Sequence, residues 1–171
     1  MGARIATTPK YTTTVVVTGS TYYYAGGVYY VSSGSGYVVV SAPPGAVVHA
    51  VPAVTTVVYV GSTPYYYYGG TYYVATTQPA PPPPAPVQDT SAKTTSAEGA
   101  EEKEPPMTEA DHNFKVVAPP VGATVPYLPE EADKETVNGK KYFVYQDTYY
   151  RPFASDGETI YMVVEDPTKA S

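Results

Sequence analysis

The chain has 171 residues and a net charge of −6, with 20 tyrosines, three phenylalanines, no tryptophan and no cysteine. The lack of cysteine excludes a disulfide framework and thiol chemistry, and an acidic chain whose aromatics have no basic patch beside them excludes a nucleic-acid partner. The charge is uneven: Arg4 and Lys10 are the only charged side chains before Asp89, and all 16 acids lie from Asp89 onward.

In chain order, residues 1–10 carry no periodic pattern and are expected to be a disordered N-terminus. The opening MGARIATTPK has no apolar h-region and Ala6 where a myristoylation signal needs Ser or Thr. Read literally, the chain carries no address; a fragment that has lost its signal peptide reads the same way. From Tyr11 to Gln88 no side chain is charged, whereas a soluble surface carries roughly a quarter to a third charged residues. Tyr, Thr and Ser must solvate this stretch. Gly26, Gly27, Pro43, Pro44, Pro52 and Pro64 interrupt every window of about 20 residues that a membrane helix would need, and the strands are shorter than a membrane β-barrel requires.

Three copies of one tyrosine-rich hairpin phrase organise the chain: GSTYYYAGGVYY from Gly19, GSTPYYYYGGTYY from Gly61 and NGKKYFVYQDTYY from Asn138. Between them run YVVVSAPPGAVVHAVP from Tyr37 and FKVVAPPVGATVPYLP from Phe114, and the opening returns as YMVVEDP from Tyr161. A unit too short to bury its own apolar face must lean on its neighbours. β-Branched and aromatic runs predict strands at 13–18, 21–24 and 28–31, with Gly19-Ser20 placed as a type II′ turn. Asn138-Gly139 predicts a type I′ turn. Pro43-Pro44-Gly45 and Pro119-Pro120-Val121-Gly122 cannot donate into a ladder and predict corners.

Residues 78–113 change composition: a QPAPPPPAPVQ tract precedes an acidic stretch with seven acids, two lysines and almost no large apolar residue. Such a segment cannot bury enough apolar area to offset its ordering entropy. It is expected to be a disordered linker with a polyproline II spacer at Pro79–Pro86. The fold class expected is all-β: short antiparallel hairpin repeats in small SH3-like barrels joined by this Pro-rich acidic linker. The division is a tyrosine-rich β-repeat module over 11–77, the linker over 78–113, an SH3-like β module over 114–167 and a tail over 168–171.

Catalytic constellations are absent from the pattern. His49 and His112 have no spaced partner for a metal site or triad. Gly34-Ser35-Gly36-Tyr37 lacks the third Gly and the Lys-Ser/Thr of a phosphate loop. Asp156 and Glu158 flank Gly157 in ordinary turn chemistry. No enzyme, cofactor or metal is expected. The tyrosines remain: in consecutive YYYY, alternate rings point to opposite faces of a strand, so Tyr22, Tyr24, Tyr65, Tyr66, Tyr67 and Tyr68 are the candidate ligand-stacking residues. A tyrosine platform offers an apolar face and a hydroxyl to a sugar ring. The alternatives are cross-strand packing and self-association through uncharged edges.

The phrases YYYAGGVYY, GYVVVSAPPGAVV and VVAPPVGATVPYLP, with the VNGKKYFVYQDTYYRPF that follows, resemble an uncharacterised family of bacterial tyrosine-rich exported or envelope-associated proteins. The resemblance implies a periplasmic or extracellular location and carries no catalytic residues. The sequence thus predicts a non-enzymatic structural or binding protein of the cell envelope. Its alternatives are a glycan- or peptidoglycan-binding module and a self-assembling matrix protein, so the partners expected are cell-wall polysaccharide or another copy of the chain.

Overall fold

The computed structural model describes residues 4–6, 12–81 and 112–169. The linker expectation for 82–111 falls outside them. The described chain is all-β, with fifteen strands in three antiparallel five-stranded sheets. The first sheet holds β1 (Arg4–Ile5), β2 (Thr13–Val17), β3 (Ser20–Ala25), β4 (Val28–Ser33) and β5 (Gly36–Val40). The second holds β6 (Val47–Val48), β7 (Thr56–Val60), β8 (Thr63–Tyr68), β9 (Thr71–Thr76) and β10 (Asn113–Val117). The third holds β11 (Thr124–Val125), β12 (Asp133–Val137), β13 (Lys140–Tyr145), β14 (Thr148–Ser155) and β15 (Glu158–Val164). Each sheet has one topology: a two-residue first strand pairs with the last strand, and a four-strand meander supplies the rest, in the order β1-β5-β4-β3-β2 and its equivalents.

Turn chemistry sets the register. Asn138 and Gly139 both hold positive φ, 51° and 75°, the type I′ geometry expected of them. In the first hairpin the turn is one residue earlier than expected. Thr18 and Gly19 hold φ of 47° and 82°, so the turn is I′ and Ser20 opens β3. A residue other than Gly sits in the left-handed region there because the I′ twist matches that of the flanking strands.

Three expectations are corrected. The SH3-like barrels are not closed: each sheet keeps two edges, β1 and β2 in the first, and no ladder joins them. The apolar face that a barrel would curl over is covered by the next repeat instead. The N-terminus is not wholly irregular, because Arg4 and Ile5 pair with Val38 and Tyr37. Finally, the sheets do not follow a division at Phe114. β10 pairs with β9 through Asn113↔Thr76 to Val117↔Tyr72, and with β6 through Phe114↔Val48. The Pro-rich acidic segment therefore leaves and re-enters one sheet, at the hairpin position that the first and third repeats close with Gly34-Ser35 and Asp156-Gly157. Asn113 Nδ2 donates to the Gln78 carbonyl at 2.7 Å across the base of this excursion.

The repeats share their cores. Val15, Tyr24 and Tyr29 of the first sheet pack with Ala46, Val48, Val51, Tyr73, Phe114 and Val116 of the second. Val58, Tyr67 and Tyr72 of the second pack with Ala123, Val125, Tyr150 and Val163 of the third. Position by position these are the same interface: Val15 and Val58, Tyr24 and Tyr67, Tyr29 and Tyr72 recur on one side. Val48 and Val125, Tyr73 and Tyr150, Val116 and Val163 recur on the other. The molecule is a stack of three sheets with two cores, and neither core belongs to one repeat alone.

Candidate functional site

The two inter-sheet cores hold most of what the sequence singled out. Each begins with a proline-rich corner. The Gly45 amide donates to the Val116 carbonyl at 2.8 Å and the Val116 amide to the Ala46 carbonyl at 2.8 Å. Gly122 and Ala123 repeat the pattern on Val163, at 2.9 and 2.8 Å. The corner thus feeds a short strand onto its own sheet, and the seven-residue connector that follows lays Val51 and Pro52, both buried, against the preceding repeat.

Glycines receive that contact. Gly27, at φ 90°, has no room for a side chain: a Cβ would stand 2.5 Å from Tyr68 Cε1 and 3.0 Å from the Pro52 ring. At Gly70, φ 85°, the same atom would stand 2.2 Å from Tyr145 Cε1 and 2.9 Å from the Pro129 ring. The Gly-Gly turns after the tyrosine runs are therefore sockets. The tyrosine and proline of the next repeat fill them.

The six candidate stacking tyrosines lie at these interfaces. Tyr24 and Tyr67 are 5% and 0% exposed. Tyr22 and Tyr66 pack against the first core and Tyr65 against the second, and Tyr68 fills the Gly27 socket. None of the six is exposed. The alternation along β8 is as expected, with Tyr66 and Tyr68 toward the first sheet and Tyr65 and Tyr67 toward the third. Both faces of the central sheet meet a neighbouring sheet, which leaves Tyr65, Tyr66 and Tyr68 only partly exposed. Strand periodicity separates two faces but cannot tell that a neighbour covers each.

The ring contacts are edge-on or tilted, as aromatic quadrupoles favour: Tyr66–Phe114 at 5.0 Å and 81°, Tyr24–Tyr29 at 4.9 Å, Tyr67–Tyr72 at 5.0 Å. Two hydroxyls are tied to the connectors. Tyr24 Oη donates to the Ala50 carbonyl at 3.0 Å, and Tyr67 Oη donates to the Tyr127 carbonyl at 2.9 Å. By contrast, the hydroxyls of Tyr29, Tyr72, Tyr73 and Tyr150 are buried without a partner in hydrogen-bond geometry among the described residues. Burial drives the phenols of Tyr24, Tyr29, Tyr67, Tyr72 and Tyr73 well above their ordinary range, and Tyr150 to about 12. Neighbouring phenols add to this: Tyr29 on Tyr73, and Tyr150 on Tyr72.

A direct check separates the two kinds of hydroxyl. Tyr67→Phe should lower unfolding free energy by about 1 kcal/mol, because it removes a made hydrogen bond to a carbonyl, while Tyr73→Phe should cost less, because its oxygen meets only the neighbouring phenols of Tyr29 and Tyr24 and reaches no carbonyl. The denaturant midpoint of Tyr73→Phe should lie above that of Tyr67→Phe.

The remaining candidates stay apart. His49 is exposed. His112 sits over Phe114, ring centroids 5.0 Å apart, beside Tyr66. Gly34 and Ser35 form the tip of the β4–β5 hairpin, and Asp156 holds φ 52° in the β14–β15 turn. Among the described residues no three His, Cys, Asp or Glu side chains gather as metal ligands, and no helix is long and apolar enough to cross a membrane. A groove of about 450 Å³ runs between the proline corners and the β13–β14 turn, walled by Pro44, Tyr72, Pro119, Tyr145 and Asp147.

What sequence reading missed is the socket. Its signal is present, as Gly-Gly after each of the first two tyrosine runs and a proline at the fourth position of each following connector, Pro52 and Pro129. No curated protein and no solved structure matches the chain. A family model matches residues 1–91 and 107–166, on both sides of the excursion from the central sheet. The chain belongs to the family of unknown function DUF6515.

Proposed function

We propose that this protein is a non-enzymatic structural element of the bacterial cell envelope, a stiff stack of β-sheets acting as a spacer or scaffold. The observation that carries this reading is where the aromatic residues go: Tyr24, Tyr29, Tyr67, Tyr72, Tyr73 and Tyr150 are buried between repeats and hold sheets to one another. Shared cores resist bending because separating two repeats exposes both faces at once. Among the described residues the large rings still exposed are Tyr59, Tyr127 and Phe153, which stand on three different segments. The envelope location is supported by the uncharged stretch from Tyr11 to Gln88 and by the likeness of its repeat phrases to exported tyrosine-rich proteins.

The test is fractionation of cells that express the full-length gene product, followed by sedimentation of the purified protein with peptidoglycan and with neutral polysaccharides. The structural reading expects the protein in the envelope or periplasmic fraction, and no more protein in the polymer pellet than a charge-matched control. A cytoplasmic location would overturn the envelope assignment, and saturable polymer binding would replace the scaffold with a binding module.

A further inference from the structure

The interface between repeats is directional, with a socket face on one sheet and a plug face on the next. The socket consists of Val15, Tyr24, Tyr29 and Gly27 in the first repeat and Val58, Tyr67, Tyr72 and Gly70 in the second. The plug tyrosine stands at the end of the third strand, Tyr68 in the second repeat and Tyr145 in the third. The strand register identifies the corresponding positions at the two outer ends of the stack.

In the third repeat the socket glycine is Asp147, the socket valine is Glu135 and the first socket tyrosine is Val144. Glu135 is exposed. Asp147 holds φ 61° next to Gln146 at 48°, a region that glycine enters without strain and other residues enter at a cost. Glycine would fit this backbone best, as at Gly27 and Gly70, and Asp is one of the few other residues that tolerate it. Its Cβ and carboxylate stand where an incoming tyrosine and proline would have to go, and Glu135 would be stripped of water by the same docking. At the other end the plug tyrosine is missing, since Ala25 occupies the position of Tyr68 and Tyr145.

We propose that these substitutions are end caps: Asp147 and Glu135 close the socket of the last sheet, Ala25 removes the plug of the first, and together they keep identical copies from stacking head to tail. The three sheets then close as one stack, although each interface between them is of a kind that could propagate. Polar outer faces on terminal repeats are what soluble arrays require, and a face left open in this geometry would be heterologous and would grow without closing. The inference rests on the repeat geometry and is independent of where the protein works.

The experiment repairs one end at a time. Ala25→Tyr alone restores a plug, and the variant Glu135→Val/Val144→Tyr/Asp147→Gly restores a socket; circular dichroism and melting confirm the fold of each. Light scattering behind size exclusion should give the one-chain mass for wild type and for each variant alone, and twice that mass when the two variants are mixed. The variant carrying all four changes should form longer species that grow with concentration. The proposal is overturned if folded plug and socket variants show no complex on mixing, or if wild type itself forms chains that the Asp147 and Glu135 substitutions leave unchanged. Should Ala25→Tyr fail to fold, Ala25→Phe supplies the plug ring in its place, and a folded Phe variant that forms no complex with the socket variant would equally refute the proposal.

Discussion

Gly70→Val should be the most damaging single substitution among the turn glycines, lowering stability by about 3 to 5 kcal/mol, from left-handed strain of roughly 1 to 3 kcal/mol and overpacking of similar size. The Cβ would meet Tyr145 and Pro129 inside contact distance, and a valine adds two methyl groups behind it. At the chain's length each kcal/mol moves the melting temperature by about 2 to 4 °C, so the loss is easily seen. Gly139→Val is the control. Gly139 has φ 75° but nothing within 4 Å of a built Cβ, so it should show the strain alone, about 1 to 3 kcal/mol. Equal losses at the two sites would mean that the socket makes no contact in solution.

Alkaline pH should unfold the protein in one steep step. Tyr24, Tyr29, Tyr67, Tyr72, Tyr73 and Tyr150 have folded-state values raised above the ordinary 10.0, with burial as the first cause. In the unfolded chain they ionise near pH 10, whereas in the folded one they keep their protons, so the folded state binds more protons above that pH. The stability they contribute is fully present below pH 10 and declines above it, for Tyr150 until about pH 12. Each such phenol contributes a slope of about −1.4 kcal/mol per pH unit, or roughly −8 for the six together, which exhausts an ordinary stability of about 5 to 15 kcal/mol within one or two units. Tyrosinate absorbance should therefore rise in two phases, the second coincident with loss of circular dichroism. A single smooth titration of all the phenols with the fold intact would show that these rings are open to water.

The repeat phrases, the Asn138-Gly139 turn and the proline corners were readable because each is local chemistry: two adjacent residues of the right type dictate the backbone. The same locality misplaced the first hairpin by one residue, since Thr18-Gly19 and Gly19-Ser20 both present a glycine to the turn and only the cross-strand packing of Val15 on Tyr22 decides. A boundary at Phe114 puts β10 in the wrong module, because composition changes so sharply there while the strand pairs back onto β9. The repeat itself contains the answer, as GYVVVSAPPGA ends the first sheet and FKVVAPPVGA is its counterpart, which must end the second. Burial of the tyrosines lay beyond strand periodicity. A period of two says that Tyr65 and Tyr66 face opposite ways; that both ways lead into protein depends on the sheets stacked on either side.

The central claim is that the second sheet is one unit assembled from both sides of the Pro-rich acidic segment. A specific protease site placed within residues 94–103 tests it most directly. After complete cleavage, the account predicts that the two pieces co-elute as one species with an unchanged circular dichroism spectrum and part only in denaturant, because the β9–β10 ladder and the shared core of Tyr73, Phe114 and Val116 hold them together. Pieces that separate in native buffer, each folded by itself, would contradict it and restore a boundary at Phe114.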